Sequence, residues 1–171
     1  MNFKDFLAQY NNKFWDFDKV YGNQCVDLVQ FWVKNLGLSP LTGGYAYLMY
    51  YNFDSSKYTR IPNGPDDIPK EGDIPIWSWY YNYAGGHIGI ATGKGDVWSF
   101  ECFEQNDPSY SNSHLKTYKY DYVLGWLRPK NYNPTPLPLT DTQKLSQIKI
   151  WRNDTTIPDS DFRYKVKTLL V

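Results

Sequence analysis

The chain has little cysteine, two residues in 171. That permits at most one disulfide and excludes a scaffold held together by several. It has no excess of charge: 18 Lys and Arg face 18 Asp and Glu. The basic footprint of a nucleic-acid binder is therefore missing, and charge names no partner. No apolar run approaches the roughly 18 residues of a membrane span, so no membrane insertion is expected. The opening residues MNFKDFLAQY carry neither a basic n-region nor an apolar h-region. No signal peptide is expected, which implies synthesis in the cytoplasm and a separate route out if the protein acts outside. Internal repeats and low-complexity tracts are absent as well.

Aromatic residues are abundant, at 19% of the chain. Two readings fit them: a small strand-rich domain, since aromatics favour strands, or a groove lined for sugar or peptide. The length favours one domain with a core that needs no staples.

Phe3, Phe6, Leu7 and Tyr10 recur at helical spacing, and Asn11 and Asn12 can end that helix. FWDFDKVYGNQ then reads as a loop. Cys25, Leu28, Val29, Trp32, Val33 and Leu36 mark a second amphipathic helix, with Asn23 as expected N-cap, Gly37 as C′ residue and Pro40 beyond. A weaker helical stretch covers Ala46 to Tyr51. From Pro62 the texture changes. IPNGPDDIPKEGD is turn-rich, and HIGIATG and DVWSFECFEQ read as strands joined by a tight turn at GKGD. KTYKYDYVLGWLRP offers one or two more strands. Helices followed by an antiparallel sheet make an α+β layout. NYNPTPLPLTD, with three prolines, reads as an extended linker. The expected organisation is a domain over 1–131, a linker over 132–141 and a short tail over 142–171. Within the tail, QIKIWR and YKVKTLLV read as two short strands.

Cys25 raises the question of chemistry. A cysteine on an apolar helix face is ordinarily a small hydrophobe. A cysteine in the first turn, however, sits at the positive end of the helix dipole, which stabilises a thiolate. A thiolate enzyme also needs a base and a group to orient it. Of the two histidines, His114 lies in the polar stretch YSNSHLK and reads as solvated. His87 opens a strand directly after Gly85 and Gly86, where small residues let another backbone approach. On the strand WSFECFEQN, the residues Trp98, Phe100, Cys102, Glu104 and Asn106 share a face. Glu104 or Asn106 is then the candidate to hold the His87 ring, and Cys102 reads as packing. WSWYYNYAGG precedes His87 and should flank the cleft, with Trp79 or Tyr81 contacting substrate.

Five segments occur together and in order: GNQCVDLVQFWV, EGDIPIW, GGHIGIATG, FECFEQN and LGWLRP. In this the chain resembles the CHAP (cysteine, histidine-dependent amidohydrolase/peptidase) domain of bacteriophage endolysins and peptidoglycan hydrolases, over about residues 1 to 131. The resemblance implies a papain-like α+β fold, with N-terminal helices packed on an antiparallel sheet or half-barrel. It implies Cys25 as nucleophile, His87 as base and later acid, Glu104 and Asn106 as their partners, and an oxyanion site from the Cys25 N–H with Gln24. It also implies a structural calcium ion, Ca2+, held by Asp16, Asp18 and Asp27 with the backbone oxygens of Val20 and Gly22, oxygen ligands of the kind calcium takes.

The function so implied is hydrolysis of an amide bond of bacterial peptidoglycan, by an endopeptidase or an N-acetylmuramoyl-L-alanine amidase. Synthesis in the host cytoplasm without a signal peptide fits either a free lysin released through a holin pore or a lysin assembled into the virion. The competing reading is a non-catalytic wall-binding or virion structural module with the same fold. The sequence leaves the oligomeric state open.

Overall fold

The structure is a computed structural model that describes residues 1–82 and 85–134 and the single positions 148, 152 and 165. The chain divides into two compact units, Met1–Thr135 and Pro136–Val171. In the second unit, Ile148, Arg152 and Lys165 are helical. The strands expected around them are not formed at those positions, and the rest of that expectation lies outside the described residues.

The first unit is α+β. Helix α1 (Phe3–Tyr10) begins where the Asn2 side chain accepts the Asp5 N–H at 2.9 Å. Helix α2 (Cys25–Asn35) ends at Leu36, with Gly37 in the left-handed conformation that its missing Cβ permits. A single helical turn, α3 (Ala46–Met49), follows. The strands are β1 (Tyr58–Pro62), β2 (Ile74–Trp77), β3 (His87–Ile88), β4 (Ile90–Gly95), β5 (Ser99–Glu104), β6 (His114–Lys119) and β7 (Val123–Pro129). They form two antiparallel sheets, ordered β1-β7-β2-β3 and β4-β5-β6.

Three elements differ from the sequence expectation. HIGIATG is not one strand: it breaks at Gly89 and its halves serve different sheets. A Cβ on Gly89 would stand 2.5 Å from Cys102 Sγ, so the crossing requires glycine. Gly93–Gly95 of GKGD belong to β4, and the turn starts only at its last residue, where Asp96 Oδ1 accepts the N–H groups of Trp98 and Ser99 at 2.8 and 3.0 Å. Trp98 is therefore exposed at the turn rather than aligned with Phe100 and Cys102. Strand β1 had no clear sequence signal, because its centre is exposed and pairs along β7 at the sheet edge.

The main core joins Phe3 and Phe6 of α1, Leu28, Val29, Trp32 and Val33 of α2, and Ile74, Ile76, Ile88 and Leu127 of the first sheet. The apolar stripe of α2 thus lies on the sheet that carries His87. A smaller cluster joins Trp77, Phe100, Cys102, Tyr118 and Val123. Two of the five quoted segments meet in an ion pair between a buried Asp73 and a half-buried Arg128. Asp73 of EGDIPIW accepts from Arg128 of LGWLRP at 2.8 and 2.7 Å, a fork that clamps the entry of β2 to β7. Tyr132, expected in the linker, packs on Trp32 with ring centroids 5.1 Å apart and donates to Glu71 Oε1 at 2.6 Å. The core of the first unit therefore extends past residue 131.

Candidate active site

Cys25 is the first residue of α2, where backbone N–H groups have no intrahelical acceptor and the helix end is positive. The N-cap is Gln24, one residue later than the expected Asn23. The cause is Asp27, whose Oδ2 reaches back to accept the Gln24 N–H at 2.7 Å. Asn23 instead donates through its amide to Ser111 O at 3.2 Å. A second clamp was missed by the sequence reading. Gln105 is wholly buried, and its Nε2 donates to Trp15 O at 2.7 Å and to Gln24 O at 2.6 Å. Its Oε1 accepts the Trp15 N–H at 3.3 Å. The available signal was its amide, which can donate and accept at once, placed between Glu104 and Asn106.

His87 opens β3 opposite Trp77 of β2. The approach depends on Gly86, at φ +77, where a Cβ would stand 2.4 Å from Trp77 O. The ring is almost fully buried. Its Nε2 lies 3.3 Å from Glu104 Oε2 and 3.4 Å from the Tyr118 hydroxyl. The ring also interacts with Cys25, which lines the same cleft. Burial works against a charged imidazole, but the neighbouring Cys25 and Glu104 outweigh it and raise the His87 pKa to about 9.

Glu104 ends β5 and has no solvent exposure. Its second oxygen, Oε1, lies 2.9 Å from Nε2 of His114. His114 is therefore not the solvated loop residue expected: it begins β6 directly across from Glu104. The strand starts two residues before the stretch that reads as one, and cross-strand pairing brings the ring onto the carboxylate. Asn106 stands beyond β5 at φ +68, where the alternation has ended, and its Oδ1 accepts the Tyr110 N–H at 2.6 Å. Of the two candidate orienting groups, Glu104 is the one that faces His87.

A further group supports the base. Asp107 Oδ2 accepts from Tyr81 at 2.5 Å and Tyr118 at 2.7 Å, and pairs with Lys116 Nζ at 2.9 Å. Burial opposes its charge, yet these donors hold the Asp107 pKa at about 2. With its proton committed to Asp107, the Tyr118 hydroxyl turns its oxygen toward His87. Tyr81 thus braces the base, with its ring stacked 5.9 Å from the imidazole. A cleft of about 500 Å³ lies over Cys25 and His87, with Gln24, Asn106, Tyr21 and Tyr45 on its walls. Trp79 and Tyr81, the expected substrate contacts, are not among its described lining residues. Tyr21 and Tyr45 are the exposed aromatics there.

Asp16, Asp18 and Asp27 converge before the helix, each offering an oxygen within 4.8 Å of the others. Oxygens bound about 2.4 Å from one calcium ion lie at most about 5 Å apart, so the three carboxylates fit a shared ion. Asp27 is buried and accepts the Phe17 N–H at 3.1 Å besides that of Gln24. Its pKa is raised, first by burial and further by the charges of Asp18 and Asp16, against hydrogen bonds that lower it. Asp16 accepts the Lys19 N–H at 2.7 Å and Asp18 the Val20 N–H at 2.8 Å, which shapes the turn. Val20 is exposed, and Gly22 has a left-handed backbone at φ +72.

The family model of the CHAP domain matches residues 13–106, the span from the aspartate loop through Cys25 and His87 to Asn106. The chain belongs to the CHAP family. It is 27% identical over 139 residues to endolysin PlyTW of Staphylococcus phage Twort, a match over 75% of this chain and 30% of that protein. A crystal structure of the wild-type endolysin LysIME-EF1 is similar with a TM-score of 0.64 and 27% identity, over 75% of this chain and 64% of that one. The chain thus spans less than two thirds of either relative.

Proposed function

We propose that this CHAP domain is a peptidoglycan hydrolase that cleaves an amide bond of the bacterial cell wall by cysteine acyl transfer. The observation that carries the reading is the placement of His87, whose buried ring lies 3.3 Å from Glu104 and opens with Cys25 onto one cleft. The similarity to two endolysins supports the wall as substrate.

In this mechanism the Cys25 thiolate attacks the amide carbonyl. The oxyanion is met by the Cys25 N–H, free of any intrahelical acceptor, and by Gln24. His87 gives its proton to the leaving amine, and a thioester remains on Cys25. His87 then takes a proton from water as the water attacks the thioester, which releases the acid and restores the thiolate–imidazolium pair. Glu104 stabilises the imidazolium and holds the ring. The bond cut is a peptide bond of the stem or cross-bridge, or the muramoyl–alanine link. A calcium ion on Asp16, Asp18 and Asp27 would supply structural charge neutralisation to the loop that leads into Gln24. A holin or the virion would provide the route to the wall.

The test is a zymogram on purified cell walls. Wild-type protein is expected to clear the walls. Cys25→Ser and His87→Ala are expected to lose at least about a thousandfold in rate, since paired groups act as one unit. Equal clearing by Cys25→Ser would overturn the proposal.

A further inference from the structure

Glu104 is shared. Its carboxylate has no solvent exposure and lies between two imidazole rings: His87 Nε2 is 3.3 Å from Oε2 and His114 Nε2 is 2.9 Å from Oε1. The other nitrogen of His114, Nδ1, lies 2.7 Å from the carbonyl oxygen of Asn112. Both ring nitrogens of His114 thus stand beside oxygens, one of Glu104 and one of Asn112. This ring is also half exposed, with 35% of its side-chain surface accessible, so it is the solvent-facing end of a line that leads through Glu104 to His87.

We propose that His114 is a positioning residue of the active site, which acts through Glu104: fixed by Asn112, it seats the carboxylate against His87 and takes up part of the negative charge that His87 would otherwise feel. The proposal rests on the reading of His87 as the catalytic base. The other titratable and charged groups around this line are Cys25 on α2, Tyr81 in the turn after β2, Cys102 on β5, Asp107 beyond β5, and Lys116 and Tyr118 on β6. The tyrosines and Cys102 are held above their ordinary range by burial, and Lys116 is paired with Asp107. His114 is the group placed to modulate Glu104 from the solvent side.

The chain has only two histidines, so ring-nitrogen NMR resolves each one without substrate. The experiment follows the His87 titration in the 171-residue chain, in His114→Gln, in Glu104→Gln and in the double variant. Glutamine at 114 keeps an N–H donor and removes the imidazole. With the carboxylate no longer shared, the His87 midpoint is expected to move up by about half to one pH unit. In the Glu104→Gln background the same change should move it by less than a third as much, because the route through the carboxylate is gone. A structural role alone would lower melting temperature and leave the midpoint in place. An unmoved or lowered midpoint in His114→Gln overturns the proposal, as does a full shift that persists without Glu104. Wall lysis against pH, measured alongside, should carry the same upward displacement of its alkaline limb. If the wild type lyses no walls yet the NMR midpoint moves as expected, the hydrolase reading fails while the role of His114 stands.

Discussion

Glu104 Oε2 lies 3.3 Å from His87 Nε2, and both side chains are shut away from solvent. A buried carboxylate is tolerable only with a cationic partner, and a buried imidazole stays charged only beside anions. Glu104, together with Cys25, therefore favours the charged form of the His87 ring.

The pairing gives stability a pH dependence of definite sign. His87 is raised from 6.5 to about 9 in the folded chain, so the native state holds a proton that the unfolded state has released between these values. Its contribution is complete below the unfolded pKa and is lost as pH rises through about 9. Melting temperature is expected to fall over that window, and less steeply in Glu104→Gln. The same variant should lose about ten- to a hundredfold in wall-lysis rate. A melting curve with equal slope in both proteins would remove Glu104 from the pair.

Gln105 should matter as much for folding as for activity. Gln105→Ala leaves the Trp15 carbonyl and N–H and the Gln24 carbonyl without the partner they have. Burial of such groups unpaired costs about 1–3 kcal/mol each, partly relieved by water. A loss of about 3 kcal/mol in chemical denaturation is expected, with activity reduced because Gln24 and Cys25 lose their anchor. Unchanged stability would mean that the loop is held elsewhere.

These two glutamine and glutamate roles mark how far the sequence could be read. Helices α1 and α2 were legible because their apolar residues recur at 3.6 spacing, and Cys25 and His87 stood out by their positions at a helix start and a strand start. Glu104 was legible as one of two candidates on a strand face. His114 was not, because its strand begins in polar residues, and the alternation of His114, Lys116 and Tyr118 becomes meaningful only when β6 pairs with β5. The Asp107 cluster and the Gln105 clamp join residues 26 and 90 positions apart, a relation that no local pattern encodes. The N-cap moved to Gln24 because a side chain three residues ahead, Asp27, competes for the helix start.

A calcium titration should separate the roles of the three aspartates. Asp16→Ala and Asp18→Ala should weaken calcium binding measured by calorimetry on metal-stripped protein, and make the melting temperature indifferent to chelator. Asp27→Ala should destabilise with or without calcium, since Asp27 also holds the N–H groups of Phe17 and Gln24. Magnesium should substitute poorly, because it demands a stricter octahedron. No calcium binding at millimolar levels would return the cluster to a turn and a capping acid.

The end of the first unit lies past Tyr132 on this structure. A chain ending at Asn131 loses the ring that packs on Trp32 and the hydrogen bond to Glu71. It should be less stable than one ending at Pro134 by about 2–4 kcal/mol, somewhat below the cost of removing a fully buried aromatic, because Tyr132 is half-buried. Equal melting temperatures for the two chains would place Tyr132 outside the folding unit.

The central claim is that Cys25 attacks an amide of the wall. It is tested most directly by mass spectrometry of fragments released from purified peptidoglycan of defined structure. The account predicts fragments with one new amino group and one new carboxyl group at a single type of amide bond, with the glycan chains uncut and nothing released by Cys25→Ser. Release of new reducing sugar ends, or the same fragments from Cys25→Ser, would contradict it.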